Sequence, residues 1–351
     1  MNYALKTHKP ILYNPPMTLT DDVKRKALEL GFDLVGITDA SPLNAEQAQF
    51  LADWLKAGYA GRMNYMRRNF EKRTSPARLL ENAQSIIVVG LNYKPPTQNL
   101  KPPDPIGQAG KVAQYAQYED YHPFIKNQLR KLSDFIISTA GKDLQFRICV
   151  DSAPLAERAF AARAGLGFIG KNRMLINPAL GPQIFLGEII TTLKLQPDEP
   201  IRCHSEPASA GEESPLLTTP HCATCNKCIA ACPTGALRAN GQFDANKCIN
   251  YLTIEYKGQV PPDLAEKIED HLFGCDECVL ACPYQQNAPV CTNKQFKFYK
   301  DRAELKVDEV LSLSEESFKA RFADSVIKRL GLTGLKRNAK ICLANITRRS
   351  R

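Results

Sequence analysis

The sequence predicts an α+β protein: a helix-covered sheet over residues 1–196, a cysteine-rich ferredoxin-like region over 221–292, and a short helical end over 293–351. Three observations predict it. Helix-period and strand-period apolar patterns alternate as far as about residue 196. Residues 197–220 carry neither period and are rich in Pro, Ser and Glu, as a linker or insertion would be. Most of the 12 cysteines then fall within residues 221–292. A chain of 351 residues accommodates about two domains at ~150 residues each.

In order along the chain, Thr20 reads as an N-cap ahead of Asp21 and Asp22, with Val23, Ala27 and Leu30 as the apolar stripe and Gly31 as the stop. Phe32–Ile37 reads as a strand. Ser41-Pro42 opens a second helix, which buries Leu51, Trp54 and Leu55 and ends at Gly58. Ile86–Leu91 is the next strand. Residues 94–112, with five prolines and two glycines, read as a surface loop. A long helix follows on the stripe Phe124, Leu129, Leu132 and Ile136, then an alternating strand from Leu144 to Val150. Asp151-Ser152-Ala153-Pro154 starts a helix through Ala164, and Ile184–Leu195 is another strand. After the cysteine region, residues 308–347 return to helix.

Hydrophobic content of 44% and charged content of 24% exclude global disorder. Lys+Arg 46 against Asp+Glu 37 leaves +9, which calls for an anionic partner. The basic residues concentrate in two places. Arg62, Arg67, Arg68, Lys72, Arg73 and Arg78 crowd one segment, and Lys328 to Arg351 holds eight basic residues and no acidic one. No apolar run approaches the ~18 residues of a membrane span, and the N-terminus lacks a secretory stretch or an Arg-Arg pair. The expectation is a cytoplasmic protein with no membrane partner, whose clustered cysteines serve metal or catalysis.

Cys222, Cys225, Cys228 and Cys232 are spaced C-x2-C-x2-C-x3-C and followed by Pro233, the run of bacterial ferredoxins whose fourth Cys serves the other cluster. Cys275, Cys278 and Cys282, followed by Pro283, repeat the end of that run, and Cys248 upstream supplies the missing thiolate. Eight cysteines therefore make two [4Fe–4S] sets: Cys222, Cys225, Cys228 and Cys282 in one, Cys232, Cys248, Cys275 and Cys278 in the other. Paired C-x2-C also suits zinc, but zinc does not require the x3-Cys-Pro extension. Cys149 reads as a core residue, while Cys203, Cys291 and Cys342 have no assigned role.

Gly165-Leu166-Gly167-Phe168-Ile169-Gly170 matches G-x-G-x-x-G, yet follows a helix instead of a strand, so the dinucleotide-binding context fails. A glycine-rich helix end, or a bare loop against a large flat ligand, remains. Asp151 stands where a strand gives way to a helix. It is either an N-cap or an acid at a sheet edge, and a proton donor there would need a raised pKa.

Several segments resemble the epoxyqueuosine reductase family: Val150-Asp151-Ser152-Ala153-Pro154-Leu155-Ala156-Glu157-Arg158, Ala164 to Asn172, Leu186-Gly187-Glu188, Cys248 to Glu255, Gly274-Cys275-Asp276, Tyr115-Ala116 and Asp120-Tyr121-His122. The resemblance covers roughly residues 18–347. It implies a nitroreductase-like α/β cobalamin domain over 1–196, cobalamin and two [4Fe–4S] clusters as cofactors, and a short HEAT-like helical end. It also implies reduction of epoxyqueuosine to queuosine at the wobble position of tRNA for Asp, Asn, His and Tyr with GUN anticodons, in a monomer fed by an external low-potential donor. The general acid falls on Asp151. Cobalamin contacts fall on Arg73, Tyr115, Asp151, Lys171, Asn172, Thr253 and Glu255, and tRNA contacts on Lys336 and Arg337. Two other readings compete, a reductive dehalogenase and a ferredoxin-type electron carrier. The first expects a twin-Arg export signal, and the second leaves the first 196 residues without a role.

Overall fold

The computed structural model describes residues 18–96, 109–201 and 222–349. The expectations for the N-terminal tail, for most of the Pro-rich loop, for Cys203 and for the 202–220 part of the insertion lie outside the described residues.

The first helix, Leu19–Glu29, starts one residue after its true cap. Thr18 Oγ1 accepts from Asp21 N, and Asp21 returns the bond to Thr18 N, a capping box. Thr20, read as the cap from sequence, is buried and accepts from Gln196 N instead. The second helix runs Ala45–Lys56 on an Asn44 cap, three residues later than Ser41-Pro42 suggests.

A four-stranded sheet forms the N-terminal core. Its strands are β1 (Leu34–Asp39), β2 (Ser85–Asn92), β4 (Phe146–Cys149) and β7 (Ile184–Thr191), ordered β1-β2-β7-β4 and antiparallel throughout. The period of two shows in β2. Ile87, Val89 and Leu91 pack with Val23, Ala27, Ile125, Leu129 and Ile136 of the helices on one face. Ile86 and Val88 pack with Phe160 and Ala161 of helix Glu157–Arg163 on the other. Both faces are covered, so β2 is buried along its whole length. Cutting Ile87, Leu91, Leu129 or Phe160 to Ala should cost about 2–5 kcal/mol.

A three-stranded sheet ties the segments together. β3 (Ala109–Val112) pairs in parallel with β8 (His271–Phe273) and antiparallel with β9 (Glu304–Lys306). The sequence reading made 109–112 part of a loop. The strand forms because its partners come from over 150 residues downstream, which no local period reveals. The final helix, Gly331–Arg349, packs Leu332, Leu335, Ala339 and Cys342 into the same core.

The glycine run closes a helix and a hairpin. Gly165 (φ +75°) follows the C-cap of helix Glu157–Arg163. A Cβ on Gly167 would lie 2.3 Å from Ile176 O, across the hairpin of β5 (Phe168–Ile169) and β6 (Leu175–Ile176). The bare backbone of Gly167 serves the chain's own packing.

Candidate active site

The end of β4, the start of the long helix Tyr121–Ala140 and the cysteine loops enclose a cavity of about 460 Å³. Tyr65, Tyr93, Tyr115, Tyr121 and Phe185 line it as an aromatic wall, with Tyr121 stacked between His122 at 4.0 Å and Phe185 at 4.1 Å. Asp151 and Glu157 line the same cavity as Cys232, Cys248, Cys275 and Cys278.

Asp151 is not an N-cap. The helix begins six residues later, at Glu157, and Asp151 sits at φ +51° in the left-handed region that Asp tolerates better than most residues. Its Oδ2 lies 3.0 Å from His122 Nε2 and 3.6 Å from the Arg329 guanidinium. His122 Nδ1 lies 2.7 Å from Asp120 Oδ1, and Lys328 Nζ is 3.3 Å from Asp120 Oδ2. Asp120 in turn caps the long helix at His122 N. With a carboxylate at each ring nitrogen, a doubly protonated imidazole satisfies both. Burial opposes that charge, but the bonds to Asp120 and Asp151 outweigh it and raise the His122 pKa.

Burial would raise Asp151 too, yet His122, Arg329 and Arg158 outweigh it and hold the carboxyl below its ordinary value. The raised pKa expected of an acid is therefore absent from Asp151. It belongs to Glu157, pushed by burial and by the Asp151 charge to about 7, and to fully buried Glu188, raised well above the usual carboxyl value by burial and by Glu157. Sequence reasoning assigned no role to His122, Glu157 or Glu188. One signal was available: Glu188 is the only charged residue in the apolar run Ile184–Thr191.

The eight cysteines divide by location. Cys222, Cys225, Cys228 and Cys282 ring a small cavity with Lys171 and Asn172. Cys232, Cys248, Cys275 and Cys278 lie on the wall of the large one. Asn172 touches both cavities and donates from Nδ2 to Cys278 O at 3.3 Å. Among the described residues no three His, Cys, Asp or Glu side chains converge tightly enough for one metal ion. Burial, then the neighbouring thiols of the same set, raises Cys278, and burial leads again in raising Cys248 and Cys282 to about 11. Such thiols ionise only when a cationic group arrives among them, the donor chemistry that an iron–sulfur cluster fits. For cobalamin the fit rests on the broad aromatic-walled cavity and on Arg173 Nε, which is buried there without a hydrogen-bond partner.

The expected cobalamin contacts separate. Tyr115, Asp151, Asn172 and exposed Glu255 line the large cavity. Lys171 faces the small one, its Nζ bonded to Asn226 and its backbone N 3.4 Å from Cys222 Sγ. Arg73 does not line the cavity; it stands behind it, 5.6 Å above the Tyr65 ring. Thr253 does not reach the cavity. It is fully buried in a π-helical turn, donating to Ile249 O and accepting from Gly274 N. Of the tRNA candidates, Arg337 directs all five N–H groups inward, to the carbonyls of Leu252, Tyr256 and Gly258 and to Asn338 Oδ1. It has no donor left for a phosphate, whereas Lys336 makes no hydrogen bond or ion pair among the described residues and lines a surface groove of about 650 Å³.

Two family profiles match the chain: "Epoxyqueuosine reductase QueG, DUF1730" over residues 73–152, and "4Fe-4S double cluster binding domain" over residues 221–285. An epoxyqueuosine reductase of Cyclobacterium marinum is 37% identical over 91% of this chain and 95% of its own. One of Vibrio cholerae is 35% identical over 93% of this chain and 83% of its own. A crystal structure of epoxyqueuosine reductase with an epoxyqueuosine-modified tRNA-Tyr stem loop is similar at TM-score 0.82 and 29% identity, covering 95% of this chain and 82% of that one. Another, from Bacillus subtilis, has the same TM-score, identity and coverage and is described with its aspartate catalytic loop swung out of the active site.

Proposed function

We propose that this chain, which belongs to the epoxyqueuosine reductase family, reduces epoxyqueuosine to queuosine in tRNA. The observation that carries the reading is one cavity lined both by Asp151 and by four cysteines of the double-cluster region. The reaction breaks two C–O bonds. The oxygen takes two protons and leaves as water, and two electrons delivered to the former epoxide carbons complete the alkene.

The large cavity is the place for cobalamin, with Tyr115, Asn172, Asp151 and Glu255 against it, and each set of four cysteines holds one [4Fe–4S] cluster. When bound, cobalamin supplies a strongly reducing cobalt centre that stores two electrons, and the clusters supply electrons one at a time. The chain's own residues handle position and protons. His122 holds a proton on Nε2 against Asp151 Oδ2, and Asp120 fixes the ring from the other side. Asp151, on the exposed loop, relays that proton from His122 to the departing oxygen, as a positioned acid–base group does, and leaves His122 neutral. The positive φ of Asp151 turns its backbone N–H toward Glu157, which clasps the loop.

The wobble base must leave its stack to reach the cavity. Lys336 and the basic segment around Arg62–Arg78 steer the phosphates. The substrates are the tRNAs for Asp, Asn, His and Tyr with GUN anticodons. The chain acts as a monomer in the cytoplasm, and the electrons come from an external low-potential donor. The test is anaerobically purified protein with cobalamin and a strong reductant, given epoxyqueuosine-containing tRNA. Nucleoside mass analysis should show queuosine, and iron should approach about eight per chain. Retention of the epoxide overturns the activity, and about four iron atoms would remove one cluster.

A further inference from the structure

β7 is apolar except at its centre. Glu188 is 0% exposed there, paired with Val88 on β2 and Cys149 on β4. Neither of its carboxyl oxygens receives an N–H or a hydroxyl among the described residues. An ionised carboxylate is not stable in such a place, so Glu188 carries a proton, and that proton needs an acceptor. The carboxyl within hydrogen-bond reach is Glu157, the first residue of the helix packed on β7. Glu157 also lines the cavity and accepts the Asp151 N–H through Oε1. Two buried acids that meet this way cannot both ionise, and one proton stays between them. The groups facing the pair are Asp151, Arg158, His122 and Arg73 around Glu157, and Asp151 and the Cys149 thiol around Glu188.

We propose that Glu157 and Glu188 share one proton at neutral pH and supply it to the cavity as the second proton of epoxide deoxygenation. This rests on the reading of the activity given above. The balance closes with the external donor: two electrons arrive from it, one proton comes through Asp151, and one comes through Glu157. The epoxide oxygen leaves as water, and solvent then returns a proton to each site. Asp151, kept ionised by its charged neighbours, relays the one proton that His122 holds and has no second to give.

Infrared spectroscopy of the cluster-loaded protein without tRNA tests the shared proton. Wild type should show a protonated-carboxyl absorption that shifts in D2O, weakens as pH rises through neutrality and persists above it, where one proton stays between the two acids. Glu188→Gln keeps the size and neutral charge of the buried group, and should remove that absorption or move its loss to lower pH. Glu157→Gln is the second variant, with iron content and circular dichroism confirming the fold of both. In single turnover at pH 6, each variant should make queuosine about 10-fold more slowly, and the wild-type decline above neutrality should vanish. An absorption missing from wild type, or unchanged in Glu188→Gln, overturns the shared proton. Wild-type rates and pH profile in both variants overturn the supply step. If wild type forms no queuosine while the absorption titrates as expected, the activity reading fails and the shared proton stands.

Discussion

The two walls of the large cavity are built by opposite rules. The thiol side takes its four cysteines from the cysteine region alone, Cys232, Cys248, Cys275 and Cys278, within a region of short repeated spacings. The carboxyl side presents Asp151 from a strand end and Glu157 from a helix start, and these contact groups that do not line the cavity: Asp120 and His122 from another helix start, Glu188 from the middle of β7 and Arg329 from near the C-terminus. The chemistry explains the difference. Electrons cross several ångströms between clusters, so ligands need only grip an inorganic group. A proton moves only across a hydrogen bond of ~2.6–3.2 Å, and its direction depends on charges that several distant segments must bring together.

The largest expected effect breaks the thiol wall. Cys275→Ser should remove about four of about eight iron atoms and take turnover below detection. Cys291→Ser, outside both sets, should leave iron unchanged; loss of iron there would redraw the ligand set. On the other wall, Asp151→Asn should keep iron and tRNA binding and lower single-turnover rate by about 10²–10⁴. Full turnover by this variant would remove Asp151 from proton delivery.

The same contrast decided what the sequence could say. The grouping of eight cysteines into two sets was legible, because cysteine spacing within a loop is a local property. So was the sheet, whose β2 alternates Ile86 and Val88 against Ile87, Val89 and Leu91. What escaped was every feature made by distant segments. β3 looked like loop because its partners lie near residues 271 and 304. Asp151 looked like a helix cap because no local pattern shows a left-handed residue six positions ahead of the helix. Its expected raised pKa went to Glu157 and Glu188, whose meeting depends on a helix packing against β7.

A smaller effect sharpens the carboxyl wall. His122→Gln keeps the ring's size in part but cannot carry the charge between Asp120 and Asp151, and turnover should fall about 10-fold. Stability should follow the two shifts. The raised His122 contributes fully below its unfolded value near 6.5 and loses its contribution as pH rises through its higher folded value. Asp120, held far below its usual range despite burial, contributes above 3.8 and loses its contribution as pH falls toward its folded value. Thermal denaturation across pH should therefore show a wild-type alkaline decline that His122→Gln lacks. Parallel curves for the two proteins would mean that the imidazole is neutral.

The smallest effect concerns two neighbours that a count of charges treats alike. Lys336 and Arg337 are both basic and both on the final helix, but Arg337 is consumed in tying the carbonyls of Leu252, Tyr256 and Gly258 behind the thiol wall. Arg337→Ala should cost about 2–4 kcal/mol of stability by leaving those carbonyls unpaired. The salt dependence of tRNA binding by the protein that remains folded should not change. Lys336→Ala should do the reverse. Melting should be unaffected, while tRNA affinity falls a few-fold across all four acceptors and the slope against log salt drops by about one. If Arg337→Ala also lowers that slope, a conformation that frees its guanidinium must exist, and the stretch Leu252–Gly258 would be coupled to tRNA binding. A slope that ignores Lys336 would instead move phosphate recognition to the basic segment around Arg62–Arg78, on the N-terminal side of the cavity.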